Sequence, residues 1–91
     1  MYKLDITRSS GKFISELQAR QYRQVVSTIF KLRENPEPHD SKQMIGRPEY
    51  RRADIGEYRI IYRVDADTVK IAVVGKRNDS EVYKQFDRMR S

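Results

Sequence analysis

The side chains best suited to chemistry sit in the last third of this 91-residue chain: Arg59, Lys76, Arg77 and Tyr83. Cleavage of RNA by its own 2′-hydroxyl builds negative charge on the phosphate oxygens and needs one proton removed and one returned. Guanidinium groups can hold that charge, two N–H groups at a time. A phenol is a poor base at its ordinary pKa of about 10, though neighbouring cations can favour its ionised form. Tyr50-Arg51-Arg52 offers further cations earlier in the chain. Neighbouring strand residues point to opposite faces, so only one of each adjacent pair can join a given cluster. Arg59 then shares a face with Ile61 and Arg63, while Tyr58, Ile60, Tyr62 and Val64 take the other. If helices cover the more apolar face, Arg59 and Arg63 point to the open side. Antiparallel sheets often show water a polar face, so the same arginines can equally be decoration.

What the chain lacks narrows the choice. His39 is the single histidine, in the loop-like Glu-Pro-His-Asp-Ser stretch, and reads as a solvated residue. No acid/base histidine pair can form. With no cysteine, disulfides and thiolate metal sites are excluded. Asp65 and Asp67 form a pair of carboxylates, but their position suits a tight turn. Gly75-Lys76-Arg77 follows a strand without Walker spacing, and the serines have no partner base. No metal site and no cofactor is expected.

The elements that must position these residues follow from periodicity. Tyr2, Leu4 and Ile6 alternate with polar residues as a half-buried strand does. Ser9-Ser10-Gly11 interrupts it, and Ser9 or Ser10 can cap a helix carrying Phe13, Ile14 and Leu17. A longer helix is expected over 19–34, with Tyr22, Val25, Val26, Ile29, Phe30 and Leu32 as its apolar stripe. Pro36 and Pro38 stop it, and residues 35–48 read as an extended loop. Three strands follow, over 49–55, 57–65 and 68–76, with turns at Gly56 and Asp65-Ala66-Asp67. The last stretch, 80–89, places Val82, Phe86 and Met89 on one helical face with Ser80 as cap. The order is β-α-α-β-β-β-α. This is an α+β chain: a mostly antiparallel four-stranded sheet, a helical hairpin on one face and a C-terminal helix. The first strand, returning after the helices, can lie parallel to one neighbour.

Composition sets the scale. Apolar residues make up 37% and charged residues 35%, so one lean core fits and a second lobe does not. A lean core favours support from a partner. Nineteen Lys and Arg against thirteen Asp and Glu leave +6, which suits nucleic acid or an acidic protein, or a merely solvated surface. No apolar run approaches the roughly 20 residues of a membrane span, so a soluble, cytoplasmic protein is expected.

Three segments together carry a resemblance to the RelE/ParE toxin family. They are Gly56-Glu57-Tyr58-Arg59-Ile60-Ile61-Tyr62, Val74-Gly75-Lys76-Arg77 and Ser80-Glu81-Val82-Tyr83. Leu32-Arg33-Glu34-Asn35-Pro36 and Ile45-Gly46 are weaker anchors. The resemblance spans nearly the whole length and implies one toxin domain over 1–91. It is nearest to the RelE-like endonucleases that cut mRNA in the ribosomal A site and are silenced by a cognate antitoxin. Such toxin–antitoxin complexes bind operator DNA through the antitoxin. The resemblance places phosphate stabilisation on Arg59 and Arg77, and proton transfer or base stacking on Tyr83. Backbone grip falls to Arg51 or Arg52 and to Lys76. One departure stands out: Ala53 or Asp54 stands where the family's strand would offer a second alternating cation. ParE-like gyrase poisons share the scaffold but typically lack the full Arg and Tyr set, so retention of Arg59, Arg77 and Tyr83 favours the nuclease. An inert relative is the third possibility.

Overall fold

A computed structural model describes residues 1–78 and 81–88. The elements run β1 (Lys3–Ile6), α1 (Arg8–Ser15), α2 (Ala19–Glu34), β2 (Lys42–Met44), β3 (Arg47–Ile55), β4 (Tyr58–Asp65), β5 (Thr68–Lys76) and α3 (Glu81–Arg88). They build one five-stranded sheet in the order β1-β5-β4-β3-β2, with β1 parallel to β5 and the other pairs antiparallel. The α+β class, the helical hairpin and the parallel first strand agree with the sequence reading. The strand count does not. β2 lies inside the stretch expected to be loop, because its three residues, Lys-Gln-Met, carry no apolar alternation to announce it. It exists as a partner of β3, folded back through Ile45-Gly46 with Gly46 at φ 80°. Pro48 is accommodated in β3 because the β2–β3 register shifts between Gln43 and Met44. At that irregularity the ladder asks no N–H of Pro48, and its carbonyl accepts from Gln43 Nε2 at 3.3 Å.

The cap of α1 also differs from expectation. Thr7 is the N-cap, its Oγ1 accepting from Ser10 N at 3.3 Å. Ser10 and Gly11 are helical, so the Ser-Ser-Gly segment opens the helix where a break between elements had been read. The Oγ1 of Thr7 and the Oγ of Ser10 both donate to Ala72 O, at 2.9 and 3.1 Å. That carbonyl lies at a bulge in β5, where the register jumps from Ile61↔Val73 to Tyr62↔Ile71. A bulge leaves a ladder group unpaired, and the start of α1 satisfies this one. Ser80 and Met89, expected as cap and apolar-face residue of the last helix, lie outside the described residues.

The sheet has two covered faces of unequal size. On the hairpin side, Ile14, Val25, Ile29 and Leu32 pack on Tyr58, Ile60, Tyr62, Val69, Ile71 and Val74. Tyr22 and Phe30, expected in the buried stripe of α2, stay 44% and 50% exposed because α2 wets that flank. On the other side, Ile61, Ala72 and Val73 meet Val82 and Phe86 of α3. The face expected to be open is therefore roofed by α3. Among the described residues no helix is long and apolar enough to cross a membrane.

Two-residue turns join β3 to β4 and β4 to β5. Gly56, at φ 57°, supplies the first. Ala66 supplies the second at φ 54°, where an L side chain is strained. Ala66→Gly should therefore stabilise the protein by about 0.5–1 kcal/mol. A higher urea midpoint at unchanged slope is the expected reading.

Candidate functional site

Arg59 is the second residue of β4, flanked in register by Asp54 on β3 and Gly75 on β5. Cross-strand partners share a face, so the guanidinium and the Asp54 carboxylate leave the sheet together on the α3 side. They meet edge to edge: Nε donates to Asp54 Oδ1 at 2.6 Å and Nη2 to Oδ2 at 3.0 Å. The remaining nitrogen, Nη1, donates to the Tyr83 hydroxyl, and Cζ lies 5.7 Å from the Tyr83 ring centroid. Arg59 is only 9% exposed. A buried cation is costly unless paired and hydrogen-bonded, and each of its three nitrogens has an acceptor.

Gly75 explains how α3 reaches this position. A Cβ on Gly75 would overlap the Val82 side chain. With only hydrogen there, Val82 seats on β5 and the next residue, Tyr83, hangs over Arg59. Arg77, just past β5, arrives from the other side. Its backbone N–H donates to Glu57 O at 2.9 Å, its Nη1 to Gly56 O at 3.4 Å, and its Nη2 lies 3.7 Å from Asp54 Oδ2. Asp54 is thus shared by two arginines. Its hydrogen bond from Arg59 holds its carboxyl below the usual aspartate range against the opposing effect of burial, helped by the charges of Arg59, Arg77 and Arg52. The same bond raises Arg59 further above its already high value.

The other candidates divide. Arg52 stands opposite Ile61, on the α3 side, and lines a groove of about 490 Å³ with Lys42, Met44, Arg47, Tyr83 and Phe86. Arg51 stands opposite Tyr62, on the hairpin side, where it donates to Ser41 Oγ at 2.8 Å and pairs with Glu37 at 3.8 Å. The choice left open between the two falls to Arg52. Lys76 pairs in register with Tyr58, a hairpin-side residue, so it emerges away from the cluster. Arg59, Arg77, Tyr83 and Arg52 come together; Arg51 and Lys76 do not.

Two residues were missed. Arg47 sits between aromatic rings, 5.0 Å from the Tyr50 centroid and 4.7 Å from that of Phe86, with Nη1 buried and lacking a hydrogen-bond partner. Its position before Pro48, in an apparent loop, hid it. Asp54 was noticed as a departure from the family pattern and not as a site residue. The signal was present: alternation from Arg52 puts Asp54 on the cluster's face.

Two tests follow. Gly75→Ala should lift α3 and break the Tyr83–Arg59 contact while sparing the hairpin-side core. NMR should then show shifts confined to α3, β5 and the Arg59 side chain; shifts spread through α1 and α2 would count against this account. The second is pH dependence. Asp54 has a depressed folded pKa, so its contribution to stability is present above the unfolded value of about 3.9 and is lost as pH falls through the folded one. The stability difference between wild type and Asp54→Asn should be constant above about pH 5, near 1 kcal/mol for a partly exposed pair, and should shrink below about pH 4.

The model of the ParE toxin of the type II toxin–antitoxin system parDE matches residues 5–81. Among solved structures, a mutant of the Escherichia coli toxin RelE in the free state is 25% identical, with a TM-score of 0.79 over 97% of each chain. The RelBE2 toxin–antitoxin complex of Mycobacterium tuberculosis matches at 28% identity and TM-score 0.71, covering 84% of this chain and 98% of the other. The archaeal RelE–RelB complex of Pyrococcus horikoshii matches at 26% and 0.73, covering 84% and 94%. No curated protein sequence matches the chain. With a family model covering most of its length and a fold shared with RelE toxins, the chain belongs to the RelE/ParE family of type II toxin–antitoxin toxins.

Proposed function

We propose that this toxin is an endoribonuclease that cuts mRNA in the ribosomal A site. The observation that carries the reading is the contact of the Arg59 guanidinium with the Tyr83 hydroxyl, beside Arg77. A phosphate charge-holder and a proton-bearing phenol stand at one point on the α3 face. In this scheme the 2′-hydroxyl gives up its proton and bonds to the adjacent phosphorus, the P–O5′ bond breaks as the 5′-oxygen takes up a proton, and Arg59 and Arg77 hold the charge gathered on the phosphoryl oxygens. Tyr83 carries a proton or stacks on a base, and Arg52 grips the backbone. The site is small and shallow, so the ribosome supplies the positioning that the protein lacks. Neutralisation is by a cognate antitoxin, in keeping with the antitoxin-bound relatives. The +6 charge favours an acidic, partly disordered antitoxin that folds as it binds, covering the cationic face or displacing α3. Through it the pair would bind operator DNA.

A second reading, a gyrase poison acting by binding, is favoured by one observation, the match to the ParE model. Primer extension on mRNA with and without ribosomes separates the two. On the nuclease reading, cleavage appears with ribosomes and falls roughly a hundredfold or more in Arg59→Ala and in Arg77→Ala. Arg77→Ala should fold normally, since such surface changes alter stability by only about 0.5 kcal/mol. Tyr83→Phe keeps the ring and removes the hydroxyl. Cleavage that survives it and dies in Tyr83→Ala makes Tyr83 a stacking platform. Growth arrest that survives the triple alanine variant with mRNA intact sinks the nuclease reading in favour of the gyrase one.

A further inference from the structure

The cluster contains an anion of its own. Phosphate binds arginine through two parallel N–H groups on one edge of the guanidinium. On Arg59 the Nε/Nη2 edge is occupied by both oxygens of Asp54, and Nη1 is engaged by Tyr83. The second cation, Arg77, directs Nη2 at the same carboxylate from 3.7 Å. The Asp54 side chain is 33% exposed and that of Arg59 only 11%, so the carboxylate stands nearer to solvent than the group it holds. An incoming phosphodiester would meet Asp54 first.

We infer that Asp54 is an internal stand-in for the substrate phosphate, which must displace it from Arg59 and Arg77 before RNA can bind productively. This rests on the reading of Arg59 as a phosphate-binding group and adds a selectivity to it. Two anions cannot share one edge, so a phosphodiester arriving alone takes the Nε/Nη2 edge of Arg59 only by releasing Asp54 to water, and little of that edge's hydrogen bonding is left over as affinity. A strand presented by a large partner, with its other phosphates already held, can complete the exchange. Asp54 therefore discriminates against free RNA. Its place on β3 makes this possible: directly opposite Arg59 in the register it cannot avoid the fork, whereas a cation at the same position would have added to the grip.

The test uses the full-length toxin and a short single-stranded RNA methylated at every 2′-oxygen, which can be bound and not cut. Asp54→Asn keeps one acceptor for orienting Arg59 and removes the charge. It should bind this probe roughly tenfold more tightly than wild type, the scale set by freeing one charge-assisted hydrogen bond. Arg59→Ala should bind more weakly than wild type. If Arg59→Ala loses binding and Asp54→Asn binds no better than wild type, Asp54 merely positions Arg59 and the inference falls while the phosphate-binding reading stands. If neither variant changes binding, that reading falls as well. A measurement on wild type decides the matter even if Asp54→Asn fails to fold. On saturation with probe, the Arg59 Nε–Hε resonance and the Asp54 carboxyl carbon should both shift, the latter to the value of a solvated carboxylate. A carboxyl signal unmoved at saturation overturns the inference.

Discussion

A guanidinium held almost out of water between a sheet and a helix is the constraint on which the α3 side of this protein depends. Burying such a charge without partners would cost more than its neighbouring apolar contacts return. Three features of the chain meet that demand. Asp54 lies directly opposite on β3 and takes one edge of the group. Tyr83 reaches the remaining nitrogen from α3. Gly75, in register on β5, withholds a side chain so that Val82 can come down beside it. Change any one and Arg59 either loses an acceptor or loses its roof.

The two faces of the sheet consequently do different work. The hairpin side holds the larger core, with Ile14 and three buried residues of α2 set against seven residues of the sheet. Its polar groups are tied down as well: the Tyr62 hydroxyl donates to Pro36 O at 2.6 Å, and Arg51 is fastened to Ser41. On the other side, α3 is anchored by Val82 and Phe86 and by the Arg59–Tyr83 contact. Elements with few buried apolar contacts are the ones that open locally at the lowest cost. The helix carrying Tyr83 is thus also the element whose removal leaves the main core whole. On the proposed function, that coupling of a weakly anchored helix to Tyr83 would give a partner a means of control without unfolding the toxin.

Much of this was legible in the chain. Alternation along Tyr58–Val64 assigned Arg59 and Tyr62 to opposite faces, and the structure keeps them there. The Pro-marked end of α2, the Val25, Ile29 and Leu32 part of its stripe and the Gly56 turn were equally plain, because each rests on a local rule. What escaped was non-local. β2 has no pattern of its own and exists only through pairing. The bulge at Ala72 cannot be read from Val-Lys-Ile-Ala-Val-Val, where apolar residues serve either face. The roofing of Arg59 by α3 was invisible because a polar strand face normally implies water. Asp54 was misjudged for a related reason: a carboxylate among cations looks like a missing contact until the register sets it in the fork.

Net charge is a poor guide to available charge here. The +6 balance acts at a distance and draws an anionic partner in. At contact range four of the α3-side arginines are already engaged. Arg59 and Arg77 lean on Asp54, Arg63 reaches Asp65 at 3.8 Å and the Tyr50 ring at 5.8 Å, and Arg47 lies between two aromatic rings. Binding an anion at such a surface is an exchange of partners, and its free energy is the difference between the new contacts and the old. Long-range attraction without a vacant fork produces fast encounter and weak retention. Selectivity then comes from whatever supplies the rest of the contacts, which on the proposed function would make the surface that presents the RNA part of the site.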